Sequence, residues 1–316
     1  MFFKKSSKSA DISAPLDNNN AHPVYILGNS PLALFLGAKL QGAGQNIILL
    51  TPSAPAKTIK TIEFTLKEEY NLQKNTVQLV ATSMVIKEPQ LIIVAAENFR
   101  LKANLTLLPS KAFPNTPLLC FNYLENPEII RPLLGYNFSK AYFDGYLDFD
   151  GSTLTAFGIQ PQIVITPAKT ENEFDNYDRI FKQADIKTFY GDNDLLNFWE
   201  NFAPFILGYL CSSPKQHIAE LLNDKEHKIK IAAAASEICR LALFEQVQLS
   251  VDDLLKKLLA APRGFYFKKS GKLRSHEAAE LDSYYSLLSS KARTYKCKIP
   301  ELNLLMKNNY NQLLKK

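Results

Sequence analysis

Two rhythms of apolar residues divide this chain. The first half carries short unbroken apolar blocks, Val24–Leu27, Ile47–Leu50, Leu91–Ala96 and Leu118–Phe121, each followed by a polar or turn-forming residue. Blocks this short are how strands buried on both faces read. Between the first two, Leu32, Leu36 and Leu40 recur at helical spacing with Phe35 beside them, and a Gly42–Gly44 break ends the run. The pattern predicts strand, turn, helix, turn, strand, with the strands parallel. Residues 59–86 alternate in short runs such as Thr61–Leu66, as strands at a sheet edge do. Alternation returns over 141–166 on both sides of Asp150-Gly151, a strong hairpin signal.

The second rhythm is helical. Residues 171–184 are amphipathic, and Leu195–Leu210 is long and apolar and carries the only tryptophan, Trp199. Lys230–Gln248 is rich in alanine. Val251–Leu259 follows Ser250, a good cap, with Asp252 and Asp253 in its first turn. Residues 275–296 follow with Ser275 as cap, and a last helix starts at Pro300. No strong strand pattern interrupts them. The expected architecture is a Rossmann-type α/β domain over 22–167 with an antiparallel extension, then an all-α domain over 168–316. Residues 1–21, basic and polar with no apolar core behind the lysines, read as a disordered tail rather than a secretory signal.

The turn after the first block holds the candidate chemistry. A dinucleotide-binding unit opens with Gly-x-Gly-x-x-Gly, and this chain reads Gly28-x-Ser30-x-x-Ala33. The glycine of the tight turn is kept. Ser30 puts a side chain where a pyrophosphate approaches, Ala33 is a mild change at the packing position, and Pro31 suits a first helical turn. Gly28, Asn29, Ser30, Leu32 and Ala33 are therefore the candidate cofactor residues, and a βαβ unit that binds nothing is the competing reading. At the end of the second strand an acid would hold the ribose of NAD and a base the extra phosphate of NADP. Thr51 is neither. Ser53 and Lys57 can serve a phosphate with no acid competing, which weakly favours NADP, although Lys57 alone reads sooner as an ordinary exposed loop lysine. Ligands in such sheets lie beyond the carboxyl ends of the strands, which marks Glu97, Asn98 and Asn122.

Composition narrows the classes. With 316 residues, 46% of them hydrophobic, the chain can bury large cores. Its net charge of +6 comes from 37 basic and 31 acidic residues spread along the sequence, a solvated surface rather than a nucleic-acid footprint. No apolar stretch reaches the ~18 residues of a membrane span. Cys120, Cys211, Cys239 and Cys297 form no C-x-x-C pair and read as buried thiols of a reducing cytoplasm, and the four histidines have no metal-site spacing.

From about Pro23 onward the chain resembles the ketopantoate reductases (2-dehydropantoate 2-reductases). The resemblance is carried by the glycine turn, by Pro132-Leu-Leu-Gly135 with Leu147-Asp-Phe-Asp-Gly-Ser-Thr-Leu-Thr-Ala-Phe-Gly158, and by Glu280-Leu-Asp282…Ala292…Cys297-Lys-Ile-Pro300-Glu-Leu-Asn303. It implies a 6-phosphogluconate-dehydrogenase-like helical domain and NADPH-dependent reduction of a 2-oxo acid. The family's lysine, two residues after the tryptophan of the long helix, polarises the ketone, and an asparagine lies one turn further. Here those positions are Asn201 and Phe205, with Pro204 between them to bend the helix. The family's cleft lysine corresponds to Glu97, and its carboxylate-holding serine aligns near Lys268. Asn122, Glu237 and Glu280 match family residues, although the two glutamates also read as helix-surface positions.

Two expectations follow. One is an NADP-dependent reductase of a 2-oxo acid or related carbonyl with weak or altered activity. Glu280 and Asn201 would then be its active-site positions, Lys268 (with Lys269 beside it) the substitute cation, and Asn122 and Glu97 the substrate side. The other is a non-catalytic relative that uses the fold for binding or assembly. Either way the expected partner is a small molecule, with a homodimer possible and no nucleic acid or membrane involved.

Overall fold

The computed structural model describes residues 22–52, 59–108, 115–121, 133, 138–167, 171–211, 218–261 and 275–314. The chain divides into two compact units, one ending at Asp192 and the other beginning at Asn193.

The first unit opens as its pattern predicts, with β1 (Val24–Leu27), α1 (Pro31–Gly42) and β2 (Ile47–Leu50). β1 lies between β2 and β5 (Leu91–Val94) and is parallel to both. All four residues of β1 are buried, Val24 and Ile26 on the α1 side and Tyr25 and Leu27 on the other. A strand covered on both faces has no polar alternation, which is why it appears in the sequence as an unbroken block. The 59–86 region forms the antiparallel hairpin β3 (Lys60–Glu68) and β4 (Gln73–Thr82), and β4 joins β2 in parallel. α2 (Asn98–Leu105) and β6 (Leu118–Cys120) follow β5.

The antiparallel extension is β7 (Phe138–Phe149) with β8 (Thr153–Thr166), and β7 docks in parallel on β6. Their turn is held by Asp150, whose Oδ1 accepts from the amides of Ser152 at 2.9 Å and Thr153 at 2.8 Å. Gly151 there has φ +102°, which favours glycine. The sheet order is β3-β4-β2-β1-β5-β6-β7-β8-β9, and β3 also pairs in parallel with β8, Thr65 opposite Thr153 through Glu68 opposite Ala156. The sheet thereby closes on itself, with α1 packed against β1, β2, β4, β7 and β8. Ala33, Leu34, Phe35, Leu36, Gly37, Ala38 and Leu40 are all buried, so α1 is apolar around most of its circumference, with Lys39 and Gln41 near its C-terminal end as its polar residues.

The unit boundary differs from the expected 167/168. α3 (Glu171–Gln183) is the amphipathic segment read in the sequence, but it packs Tyr177, Ile180 and Phe181 into the α1-side core of the first unit. It is followed by β9 (Lys187–Tyr190), which runs parallel to β8. No strand is expected here from the sequence pattern. β9 has four residues at the sheet edge, and Phe189 and Tyr190 are about half exposed, so no buried block or clean alternation marks it. The expected tail, 1–21, lies outside the described residues.

The second unit is helical among the described residues: α4 (Asp194–Cys211), α5 (Ile218–Asn223), α6 (Lys225–Phe244), α7 (Val251–Ala260), α8 (Ser275–Thr294) and α9 (Pro300–Leu314). Ser250 caps α7 as read, accepting from the Asp253 amide at 3.3 Å. α6 starts five residues earlier than its apolar pattern suggests, because Asp224 caps it by accepting from the His227 amide. Its small residues Ala234, Ala235 and Ala242 are buried beside Ile238 and Leu241. No described helix is long and apolar enough to cross a membrane.

Candidate functional site

The turn after β1 is built around Gly28. Its φ of +111° lies in the region L side chains avoid, and an added Cβ would stand 2.7 Å from Ala96 Cα. The end of β1 is bonded on both sides, Gly28 N to Leu50 O at 2.8 Å and Ala95 N to Leu27 O at 3.1 Å. From β1 the chain moves to β2 on one side, and β5 occupies the other. Their carboxyl ends therefore flank a topological switch point, where open α/β sheets take ligands.

Ser30 does not project into that crevice. It is 6% exposed and caps α1, its Oγ accepting from the Ala33 amide at 3.0 Å and donating to Ala95 O. The hydroxyl that the sequence places in the path of a pyrophosphate instead joins the start of α1 to the end of β5. It also occupies a donor. In the first turn Pro31 has no N–H, Ala33 donates to Ser30 Oγ and Leu34 donates to Ser30 O at 3.0 Å, which leaves the Leu32 amide.

The opposite lip is the β5–α2 junction. Glu97 stands at the N-cap position of α2 without capping it. Its carboxylate is mostly buried, 3.4 Å from Arg100 Nη1, and among the described residues no donor makes a hydrogen bond to Oε2. Burial pushes its pKa above the usual carboxylate value, and the nearby Arg100 charge only partly offsets this. Arg100 crosses the crevice. Its Nη1 donates to Asn29 Oδ1 at 3.4 Å, and its guanidinium stands over the Phe99 ring, 5.0 Å from the centroid. Arg100 is not among the residues expected from the sequence. Its one signal is a cation a single helical turn beyond the end of an apolar block.

Thr51, a cofactor-side candidate with Ser53, is buried at the end of β2 with its amide donating to Thr82 O at 2.9 Å. Ser53, Lys57, Asn122 and Lys268 lie outside the described residues. In the first unit the structure thus brings together Gly28, Asn29, Ser30, Leu32, Ala33 and Glu97, with Arg100 added.

In the second unit Asn201 donates its side-chain amide to Asn197 O in its own helix, at 2.8 Å. Phe205 packs edge-on against Tyr284, with centroids 5.2 Å apart, and Tyr284 donates to Glu280 at 2.5 Å. Asn201 and Phe205 on α4 and Glu280 on α8 thus border one patch of packed helices, but its centre is aromatic. Asp282, two residues on, has Oδ1 buried without a hydrogen-bond partner among the described residues, and burial raises its pKa. Glu237 is 3% exposed and accepts from the amides of Glu301 at 3.0 Å and Leu302 at 2.9 Å. It therefore supplies the cap of α9 from a distant helix, a structural assignment that sequence spacing does not reveal.

No protein-family model and no curated protein matches this sequence. Solved structures do match in fold. D-mandelate dehydrogenase in complex with NADH is 14% identical, with 92% of this chain and 98% of that one covered at a TM-score of 0.71. A 2-dehydropantoate 2-reductase from Geobacter metallireducens is 17% identical over 92% and 99%, TM-score 0.69. A dimeric ketopantoate reductase from Staphylococcus aureus is 15% identical over 92% and 98%, TM-score 0.68. The chain has the fold of these reductases and dehydrogenases along nearly its whole length.

Proposed function

We propose that this chain is a divergent ketopantoate-reductase-like protein that binds a nicotinamide dinucleotide on its first unit, and that its reduction of 2-oxo acids is weak or absent. The observation that carries the reading is the side-chain-free turn at Gly28, where φ is +111° and an added Cβ would stand 2.7 Å from Ala96 Cα, so that only glycine fits between the ends of β1 and β5. A dinucleotide passes over such a tight glycine turn at a helix N-terminus. Gly28, Asn29, Ser30, Leu32 and Ala33 would line its phosphates, and its nicotinamide would supply hydride chemistry when bound. NADP is the form we favour, since Thr51 is no acid and Ser53 and Lys57 follow it. A small carbonyl compound, a 2-oxo acid or a relative of one, is the proposed substrate; the candidate residues are Asn122 and Glu97 on the first unit and, taken by themselves, Asn201, Glu280 and Lys268 on the second. A second copy of the chain is the proposed partner.

The expectation of weak activity follows from Asn201. It carries no charge, cannot release a proton at neutral pH, and already commits one of its two amide hydrogens to Asn197 O. Losing one preorganised donor to a developing oxyanion costs about 3 kcal/mol, a hundred- to a thousandfold in rate. Phe205 offers no polar group, and Glu97 places a carboxylate where an anion would approach. The same observations favour a second reading, in which the fold serves binding alone.

Thermal unfolding of the purified protein with and without NADPH or NADH tests binding, since a ligand of the native state raises its melting temperature by mass action. NADPH consumption with ketopantoate tests catalysis. We expect a ligand-dependent rise and turnover below the ordinary range of ~1–10³ per second. No shift with either dinucleotide would reject the binding reading, and ordinary turnover would reject the loss of activity.

A further inference from the structure

We infer that Arg100 is the cation that grips the pyrophosphate of a bound dinucleotide in this protein, taking over from amides that the first turn of α1 has given up; the inference rests on the dinucleotide reading above. A dinucleotide laid across the switch point passes between the β1–α1 turn and the β5–α2 junction. Arg100 is the side chain that spans those lips, rooted in α2 and bonded to Asn29 Oδ1 across the gap at 3.4 Å. The α1 side is poor in donors. Pro31 offers none, and the Ala33 amide is taken by Ser30 Oγ, which leaves the Leu32 amide of the first three helical residues. A helix end contributes only about half a positive charge, against a pyrophosphate with two negative ones. A guanidinium presents a planar fork that binds phosphate oxygens in pairs, and it supplies the missing charge.

Arg100 is also free to change partners. Its two polar contacts, Asn29 Oδ1 and Glu97 Oε2, are both at 3.4 Å, the long end of hydrogen-bond length, and its side chain is 45% exposed. Two such contacts leave most of its five donors available to a ligand. Glu97 and the Phe99 ring hold the guanidinium over the crevice without saturating it.

The competing explanation is that Arg100 only ties α2 to the glycine turn. Binding of NADPH, ADP-ribose and inorganic pyrophosphate to the unaltered protein, Arg100→Gln and Arg100→Lys separates the two, with titrations at low and high salt and melting of each unliganded protein. We expect Arg100→Gln to weaken NADPH and ADP-ribose by at least about tenfold and to flatten the salt dependence, with Arg100→Lys in between. Its unliganded melting temperature should stay close to that of the unaltered protein. Unchanged affinity in Arg100→Gln, with dinucleotide still bound, would overturn the assignment and leave the proposed function standing. A melting temperature lowered in Arg100→Gln, with salt dependence intact, would overturn it in favour of a tie. If the unaltered protein binds pyrophosphate through Arg100 but no dinucleotide, the proposed function falls and this assignment falls with it, leaving Arg100 as an anion site only. Binding of none of the three ligands rejects both.

Discussion

At the scale of single residues, the strongest polar cluster of the second unit meets on Glu245. It accepts from Trp199 Nε1 at 2.8 Å, Lys291 Nζ at 2.5 Å and Tyr295 Oη at 2.6 Å, and Lys291 lies against the rings of Phe198 and Trp199. Burial alone would push the Glu245 carboxyl up, but the bonds from Lys291, Tyr295 and Trp199 and the Lys291 charge outweigh it and hold its pKa below the ordinary 4.5. The folded state therefore binds its proton less readily than the unfolded chain does. The stability this group contributes is complete above the ordinary value and is lost as pH falls through the lowered one. Glu245→Gln would take away the carboxylate to which Lys291, Tyr295 and Trp199 all donate. At neutral pH the loss should be about 3–5 kcal/mol in denaturant unfolding, and the gap to the unaltered protein should narrow below pH ~4. A gap that does not change with pH would mean that the carboxylate charge is not what Lys291 requires.

At the scale of an element, α4 runs from Asp194 to Cys211 straight through Pro204. A proline inside a helix cannot donate to the carbonyl four residues back, here Glu200 O. That carbonyl accepts from Lys257 Nζ of α7 at 3.1 Å instead. The sequence shows the proline and the bend it threatens, but not the lysine that answers it, because the two are brought together only by packing α7 on α4. Lys257→Met should cost about 0.5–1.5 kcal/mol, and much less in a Pro204→Ala background, where the helix supplies its own donor. Equal losses in the two backgrounds, measured by urea unfolding, would show that the lysine does not compensate the proline.

At the scale of the whole first unit, closure of the sheet through β3 and β8 puts both arms of the fold onto one helix. Leu154, at the closing register opposite Leu66, is fully buried in the same core as Phe35 and Leu36 of α1. Because those strands share that core, Leu154→Ala should lower unfolding free energy by about 2–5 kcal/mol, as a cavity in a packed interior does. A loss under ~1 kcal/mol, the scale of a surface substitution, would mean that the closing strands do not belong to the core of α1.

The linear pattern by itself determined the buried strands at Val24, Ile47, Leu91 and Leu118, the Asp150-Gly151 hairpin, the helical second half and the Gly28 turn, because burial, turn geometry and helix period are local and leave a local trace. It also determined that no lysine stands at position 201. Tertiary structure decided the rest. β9 joined the first unit through a short, exposed edge, where side chains need not alternate. Ser30 turned from an obstacle into a cap because Ala95 O, sixty-five residues away, accepts its proton. Glu237 became the cap of a helix that begins at Pro300. Arg100 reached Asn29 across seventy-one residues because parallel pairing sets the end of β5 beside the end of β1. Each of these depends on a partner distant in the chain, and a hydrogen bond between distant residues leaves no period or spacing in the sequence to be read.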